Sequence, residues 1–308
     1  MSTTFDGPAL LLDNVSKSFG EVTAVDGLSF EVSQGTVLAL LGPNGAGKTT
    51  TIEMCEGFQK PSAGDISVLG CDPVTQGEQV RSRIGIMLQG GGSYNAIKVR
   101  EMLKLSASYN ADPHDPDWLL ELVGLQDAAN TTYRRLSGGQ KQRLSLALSL
   151  IGKPELVFLD EPTAGMDAQS RLMVWDLVSR IRDDGTTVVL TTHLMDEAEA
   201  LADNVIIIDH GKIVAQGTPA ELTSGTQQDW LLFNTETTFD VDQARGSSLS
   251  VQAVRPLHYR VDGDPSPELI AQLTVEAARQ GVQIRELGIT HRNLEEVFLD
   301  LTGRELRS

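Results

Sequence analysis

Four short stretches of this chain are apolar at almost every position: Thr36-Val37-Leu38-Ala39-Leu40-Leu41, Leu156-Val157-Phe158-Leu159, Thr187-Val188-Val189-Leu190-Thr191 and Val205-Ile206-Ile207-Ile208. A strand with one wet face would alternate, so an unbroken run predicts a strand buried on both faces. Longer segments with a helical period lie between them, over Lys48 to Glu56, Ser137 to Ile151 and Gln169 to Arg182. Strand, loop and helix in alternation predict a parallel sheet covered by helices. From Gly90 to Arg135 the strand pattern stops. Val99 to Tyr109 and Pro116 to Val123 read as helices, with Asp112-Pro113-His114-Asp115-Pro116 as the break between them, which predicts a mostly helical insert.

The register changes at the polar stretch Thr223-Ser224-Gly225-Thr226. Strand-like runs follow at Trp230 to Phe233, Leu249 to Val254 and Leu257 to Val261. A helix is expected from Pro267 to Arg279, then a strand from Val282 to Leu287 and a last helix from Asn293 to Leu301. This is the pattern of a small α+β module with an antiparallel sheet and helices on one face. The expected division is therefore residues 1–224, with the helical insert at about 90–150, and an accessory domain at 225–308.

Composition narrows the picture. The chain has 308 residues, of which 40% are hydrophobic, and 12 prolines, which suits a folded protein with a large core. A net charge of −17 argues against general nucleic-acid binding, which needs a basic face. Cys55 and Cys71 fit no metal spacing and are too few for a disulfide framework, so they read as reduced thiols of a cytosolic protein. No apolar run reaches the ~18 residues of a membrane helix. Met1 to Pro8 has neither the charged nor the apolar region of a signal peptide. If this chain powers transport, the pore is expected on another chain.

The chemistry concentrates in three places. Gly42-Pro43-Asn44-Gly45-Ala46-Gly47-Lys48-Thr49 fits G-x-x-x-x-G-K-[ST] and directly follows a predicted strand. Backbone N–H groups turned inward, the helix starting near Lys48 and the Lys48 charge together suit the β- and γ-phosphates of a nucleotide. The Thr49 hydroxyl is the expected Mg²⁺ ligand. Asp160 ends an apolar strand at the carboxyl edge, where ligands of parallel sheets bind, and is a second candidate for holding Mg²⁺. Ser137, followed by Gly138 and Gly139, is a well-placed N-cap whose helix start forms a second anion site, although the chain has one phosphate loop to serve.

The phosphate loop, Leu136-Ser137-Gly138-Gly139-Gln140 and Asp160-Glu161, in this order, resemble the ATP-binding subunit of an ABC (ATP-binding cassette) protein over residues 10 to about 222. The resemblance implies a P-loop NTPase α/β fold: a mostly parallel sheet with antiparallel edge strands and a helical insert, followed by the small α+β domain. It implies ATP with Mg²⁺, held by the loop from Gly42 to Thr50, and Phe19 stacked on adenine. Glu161 would act as general base or orient the attacking water. His193, in Thr191-Thr192-His193, would contact the γ-phosphate. Gln89 would touch Mg²⁺ or the attacking water and face a permease. With Lys48, these make the implied catalytic set Glu161, His193, Gln89 and Lys48, and the implied metal set Thr49, Gln89 and Asp160. Ser137, Gly138, Gly139, Gln140 and Asp167 would meet nucleotide held by a facing subunit, so that ATP joins two such domains.

Gly90-Gly91-Gly92-Ser93-Tyr94 and the ending Asn293-Leu294-Glu295-Glu296-Val297-Phe298-Leu299-Asp300-Leu301-Thr302-Gly303-Arg304 resemble the bacterial daunorubicin and doxorubicin exporter branch. That branch implies export of drugs, lipids or other amphipathic small molecules and a permease on a separate chain. It places the protein at the cytoplasmic face of the cell membrane, held through the permease. It also implies a second ATP-binding subunit, with a homodimer favoured over a heterodimer, and no nucleic acid. Met166 and Ala168 stand where the family commonly has Leu and Pro. Two other readings compete. A soluble ABC ATPase acting on ribosomes or DNA is opposed by the single cassette and the acidic charge. A small-molecule kinase leaves Leu136–Gln140 unexplained.

Overall fold

The computed structural model describes residues 6–87, 95–224, 230–245, 249–263, 265–290 and 293–303. Strands β1 (Leu10–Phe19) and β2 (Val22–Val32) lead into β3 (Val37–Leu41), the phosphate loop and helix α1 (Lys48–Cys55). Then come β4 (Ala63–Val68), α2 (Gly77–Arg81) and β5 (Ile84–Met87), and from the insert α3 (Val99–Ala107) and α4 (Pro116–Leu122). Next are α5 (Gly138–Leu150), β6 (Leu156–Asp160), α6 (Ala168–Asp183), β7 (Thr187–Thr192), α7 (Met195–Leu201), β8 (Asn204–Asp209), β9 (Lys212–Gly217) and α8 (Pro219–Ser224). The remainder comprises β10 (Trp230–Thr235), α9 (Val241–Arg245), β11 (Val251–Arg255), β12 (His258–Val261), α10 (Pro267–Arg279), β13 (Ile284–Thr290) and α11 (Leu294–Thr302).

The central sheet has the order β5-β6-β7-β3-β8-β9. Its first five strands are parallel, and β9 closes the edge antiparallel to β8. Every residue of β3 and β7 is buried, as their unbroken apolar runs require. The register sets Leu41 beside Thr192 and Asp160 beside Thr191. Strands β3, β7 and β6 therefore end level with one another, and the loops after them open onto the same patch of the carboxyl edge. A second sheet, β2-β1-β4, is antiparallel and carries bulges between Leu12 and Val15 and between Val15 and Lys17. Its inward residues Leu10, Leu12, Val15, Leu28 and Phe30 join one core with Leu38, Leu40, Phe158, Val189 and Ile206 of the central sheet.

The expected strands and helices of the central layer are all present, with ends shifted by a residue or so. The three-stranded sheet is what the apolar pattern does not reveal, and neither is α9.

By contact, the chain divides into two compact units. One runs to Pro219 and takes in the chain end from Leu301, and the other spans Ala220–Asp300. In the second unit a four-stranded antiparallel sheet, β11-β12-β10-β13, packs Leu231, Phe233, Tyr259 and Val261 against Leu273 and Ala277 of α10. An aromatic cluster centres that core. Phe233 meets Phe239 edge-on at 5.2 Å, and the Tyr259 hydroxyl accepts from the Phe239 amide at 2.9 Å.

Candidate active site

The turn from β3 into α1 is built to hold its shape without side chains. Gly47 has φ 107°, a left-handed conformation that a Cβ would make costly, and its missing side chain leaves room for the Ala24 carbonyl. The loop is pinned at Ala46, whose amide bonds the Pro43 carbonyl at 3.1 Å and whose carbonyl accepts from Gly211 at 2.9 Å. The Lys48 ammonium is buried and donates to the carbonyls of Gly42 at 2.7 Å and Pro43 at 3.1 Å. Burial pulls its pKa down from the ordinary lysine value, while the carboxylates of Glu161 and Asp160 pull the other way. A buried ammonium resting on two carbonyls, beside the free N–H groups of a helix start, is a cradle for an anion.

A cleft of about 370 Å³ opens over this cradle. It is lined by the loop from Asn44 to Thr50, by Phe19 and Ala24, and by Asp160 and Glu161. Phe19 is 49% exposed at the end of β1, with the Lys17 ammonium over its ring, 5.0 Å from the centroid. Among the described residues no three His, Cys, Asp or Glu side chains cluster as a metal cage. Mg²⁺ needs none. It keeps waters and takes one or two protein oxygens plus substrate phosphates, and Thr49 and Asp160 in one cleft fit that use.

Glu161 is the most constrained residue of the site. Its φ of 48° is rare for a side-chain-bearing residue, and such conformations persist where surroundings hold them. Its amide donates to the Thr191 carbonyl at 3.1 Å and to the Thr191 hydroxyl at 3.2 Å. The same hydroxyl donates to Asp160 Oδ1, so one threonine of β7 locks both acids of the Asp-Glu pair. The Glu161 carbonyl accepts from Gln142 Nε2 of α5 at 2.8 Å. Its carboxylate Oε1 lies 3.1 Å from Nδ1 of His193, just after β7.

Beneath this, Glu197 is fully buried and accepts from the Thr163 hydroxyl at 2.8 Å and the Trp175 indole at 3.1 Å. It ties the loop after Glu161 to the helices that follow His193 and Asp167.

Ser137, Gly138, Gly139, Gln140 and Asp167 do not line the cleft. Ser137 caps α5 in a reciprocal box. Its hydroxyl accepts from the Gln140 amide at 3.2 Å, and Gln140 Oε1 accepts from the Ser137 amide at 2.9 Å. A Cβ on Gly138 would meet no atom within 4 Å, and one on Gly139 would meet only Met166 of the Asp167 loop, at 3.9 Å. Asp167 caps α6 through the Ser170 amide at 2.9 Å, a bond that holds its carboxyl below the usual range. Gln89 and the glycines at 90–92 lie outside the described residues.

The structure thus brings together the loop residues, Phe19, Asp160, Glu161 and His193, and leaves the Ser137 and Asp167 caps apart from them. It also adds Thr191, Gln142, Thr163, Trp175 and Glu197. Among these, Thr191 and Glu197 lie in the runs either side of His193, and Thr163 follows the Asp-Glu pair, whereas Gln142 and Trp175 carried no signal in sequence. The others act through contacts between elements far apart in the chain.

The sequence profile of a family described as ABC transporter matches residues 25–164. The Nod factor export ATP-binding protein I of Ralstonia nicotianae is 37% identical over 97% of this chain and 95% of its own. The daunorubicin resistance ATP-binding protein DrrA3 of Streptomyces coeruleorubidus is 37% identical, covering 97% of each chain. Among solved structures, the ATP-binding subunit of an ABC transporter superposes with a TM-score of 0.65 at 25% identity, over 70% of this chain and 92% of that one. A dimeric ATP-binding cassette bound to ADP and Pi shares the fold, with a TM-score of 0.63 at 22% identity, over 68% of this chain and 98% of its own. With a phosphate cradle, a paired Asp-Glu edge and relatives matched along nearly its whole length, the chain belongs to the ATP-binding proteins of the ABC transporter family and is an ATPase of that family.

Proposed function

We propose that this chain is the ATP-hydrolysing subunit of an exporter for drugs, lipids or other amphipathic small molecules, and that it drives a permease carried on a separate chain at the cytoplasmic face of the membrane. Two copies would act together, each supplying what the other's cleft lacks. The observation that carries this is the separation of the two anion sites. The cleft holds Lys48, Asp160 and Glu161, while the Ser137 cap lies elsewhere with open space before it. One chain therefore offers two halves of two different sites. The export reading is supported by relatives named for Nod factor export and daunorubicin resistance. Among the described residues, no helix is long and apolar enough to cross a membrane, which fits a separate permease. The cargo is then selected by that permease.

In the hydrolysis step, Lys48 exchanges its carbonyl partners for the β- and γ-phosphate oxygens, and Phe19 stacks on adenine. Thr49 and Asp160 would hold Mg²⁺, which would supply positive charge against that developing on the phosphate oxygens. Glu161 receives the proton of the attacking water while Thr191 holds its peptide in place. His193, anchored on Glu161 Oε1, presents its other ring nitrogen to the γ-phosphate. Gln89 would complete the water's surroundings and face the permease, and Asp167 would lie across the joint between the two copies.

A mixed dimer tests the reading. With Ser137→Arg on one copy and Lys48→Ala on the other, one composite site stays whole, and phosphate release near half the wild-type rate is expected. With both changes on one copy and none on its partner, both sites are broken and release should vanish. The reverse pattern would overturn the arrangement. Export through a separate chain fails if the protein copurifies with no membrane protein when coexpressed with candidate permeases.

A further inference from the structure

We infer that Gln142 is a positioning residue for hydrolysis. It holds the Glu161 peptide of its own chain, so the angle of the general base depends on where helix α5 sits. This rests on the proposed roles of Glu161 and Ser137.

The argument begins with Glu161's backbone. A residue at φ 48° leans on its hydrogen bonds, because the conformation is not its own preference. Two of those bonds come from β7, through Thr191. On its other side the Glu161 carbonyl accepts from the Ala164 amide of the following turn at 3.1 Å and, reaching across from α5, from Gln142 Nε2 at the shorter 2.8 Å. The peptide before Glu161 Cα is therefore fixed to the central sheet, and the one after it is held between its own turn and a helix. If the helix moves, the carbonyl follows, and the carboxylate that must meet the water turns with it.

Helix α5 is not an arbitrary support. Its N-cap is Ser137, five residues and so roughly 7–8 Å along the axis from Gln142. The next side chain, Arg143, points to a different neighbour and donates to the carbonyls of Val123 at 2.8 Å and Gly124 at 3.0 Å, at the end of α4. Consecutive residues of one helix thus grip the catalytic edge and the end of α4. In the proposed dimer, the Ser137 end meets the partner's nucleotide, while Gln142 sets the angle of this chain's own Glu161. The two anion sites of a single chain are joined by one side-chain amide.

Gln142→Met keeps the length and the packing and removes the donor. The expected result is a kcat lower by about tenfold to a hundredfold, the scale of a misplaced reacting group, with KM and melting temperature unchanged. Gln142→Lys, which restores a donor at similar reach, should recover most of the loss. Gln142→Glu, of equal length without a donor, should behave as Gln142→Met does. A mixed dimer separates this role from that of Ser137. Gln142→Met and Lys48→Ala on the same copy, beside a wild-type partner, should leave one site working. Splitting them over the two copies should impair both. That pattern is the opposite of the one expected for Ser137→Arg. A wild-type kcat in Gln142→Met, or a drop that tracks KM and melting temperature, would overturn the inference. If Ser137→Arg instead acts within its own chain, the dimer reading fails and the Gln142 role stands on its own measurement.

Discussion

His193 Nδ1 and Glu161 Oε1 face each other at 3.1 Å, one just after β7 and the other just after β6. Level strand ends create the meeting, because Asp160 and Thr191 are register partners. The pair ties the proposed phosphate sensor to the proposed base, so that neither adopts its working geometry alone.

Replacing the base should therefore separate binding from chemistry. Glu161→Gln keeps the size and the contact to His193 and removes the proton acceptor. ATP affinity should be retained, while phosphate release slows by about 10²–10⁴-fold. His193→Ala should also slow release and leave the melting temperature close to wild type, since the imidazole is 43% exposed. Single-turnover phosphate release alongside equilibrium nucleotide binding would measure both, and undiminished turnover in Glu161→Gln would remove it from the chemistry.

Glu197 offers a test of the layer underneath. Burial raises its carboxyl pKa above the ordinary range, opposed by hydrogen bonds from Thr163 and Trp175 among others. Glu197→Ala strands a hydroxyl and an indole N–H in the interior and should cost about 2–4 kcal/mol of stability. Glu197→Gln retains an oxygen acceptor and should cost less than about 1 kcal/mol. Thermal melts decide between them. Equal losses in the two variants would mean that volume, rather than the acceptor, is what the site needs.

Glu56 supplies a dependence on pH. It caps the far end of α1, is 4% exposed, and has its pKa raised to about 8, by burial first and then by the charges of Asp160 and Glu53. The folded chain thus holds this proton more tightly than the unfolded chain does. The stabilisation is complete below the ordinary glutamate value and is lost as pH rises towards 8. Glu56→Gln should melt like wild type near pH 4 and several degrees higher at pH 8.5. A flat difference across that range would place Glu56 in contact with water or a cation.

Much of this was readable before any coordinate. The runs at 37–41, 156–160 and 187–192 are apolar because both their faces are covered, and that alone betrays them. The helix Pro267–Arg279 is marked by Ser266 as its cap and by Pro267. The strand Leu10–Phe19 was hidden because bulges break its alternation and Asn14 sits at φ 48° within it. The short helix Val241–Arg245 has one buried residue and so almost no pattern to show. At the site, the loop and the Asp-Glu pair are contiguous in sequence and announce themselves. Gln142 and Glu197 do not. A glutamine 19 positions before the residue it supports, or a glutamate 34 positions after, looks like any other polar side chain on a helix until the register of the sheet brings the partners together.

The reciprocal cap at Ser137 and Gln140 has an energetic consequence for assembly. A binding surface made of loose backbone would have to be frozen at the moment of association, a loss of about 1–2 kcal/mol for each residue ordered. Here the box has already fixed the first turn of α5 in the isolated chain. The Ser137 hydroxyl oxygen is held within the box. In the proposed dimer, the half of the composite site that Ser137 would supply is thus preorganised, and little of the affinity between copies need be spent on ordering it.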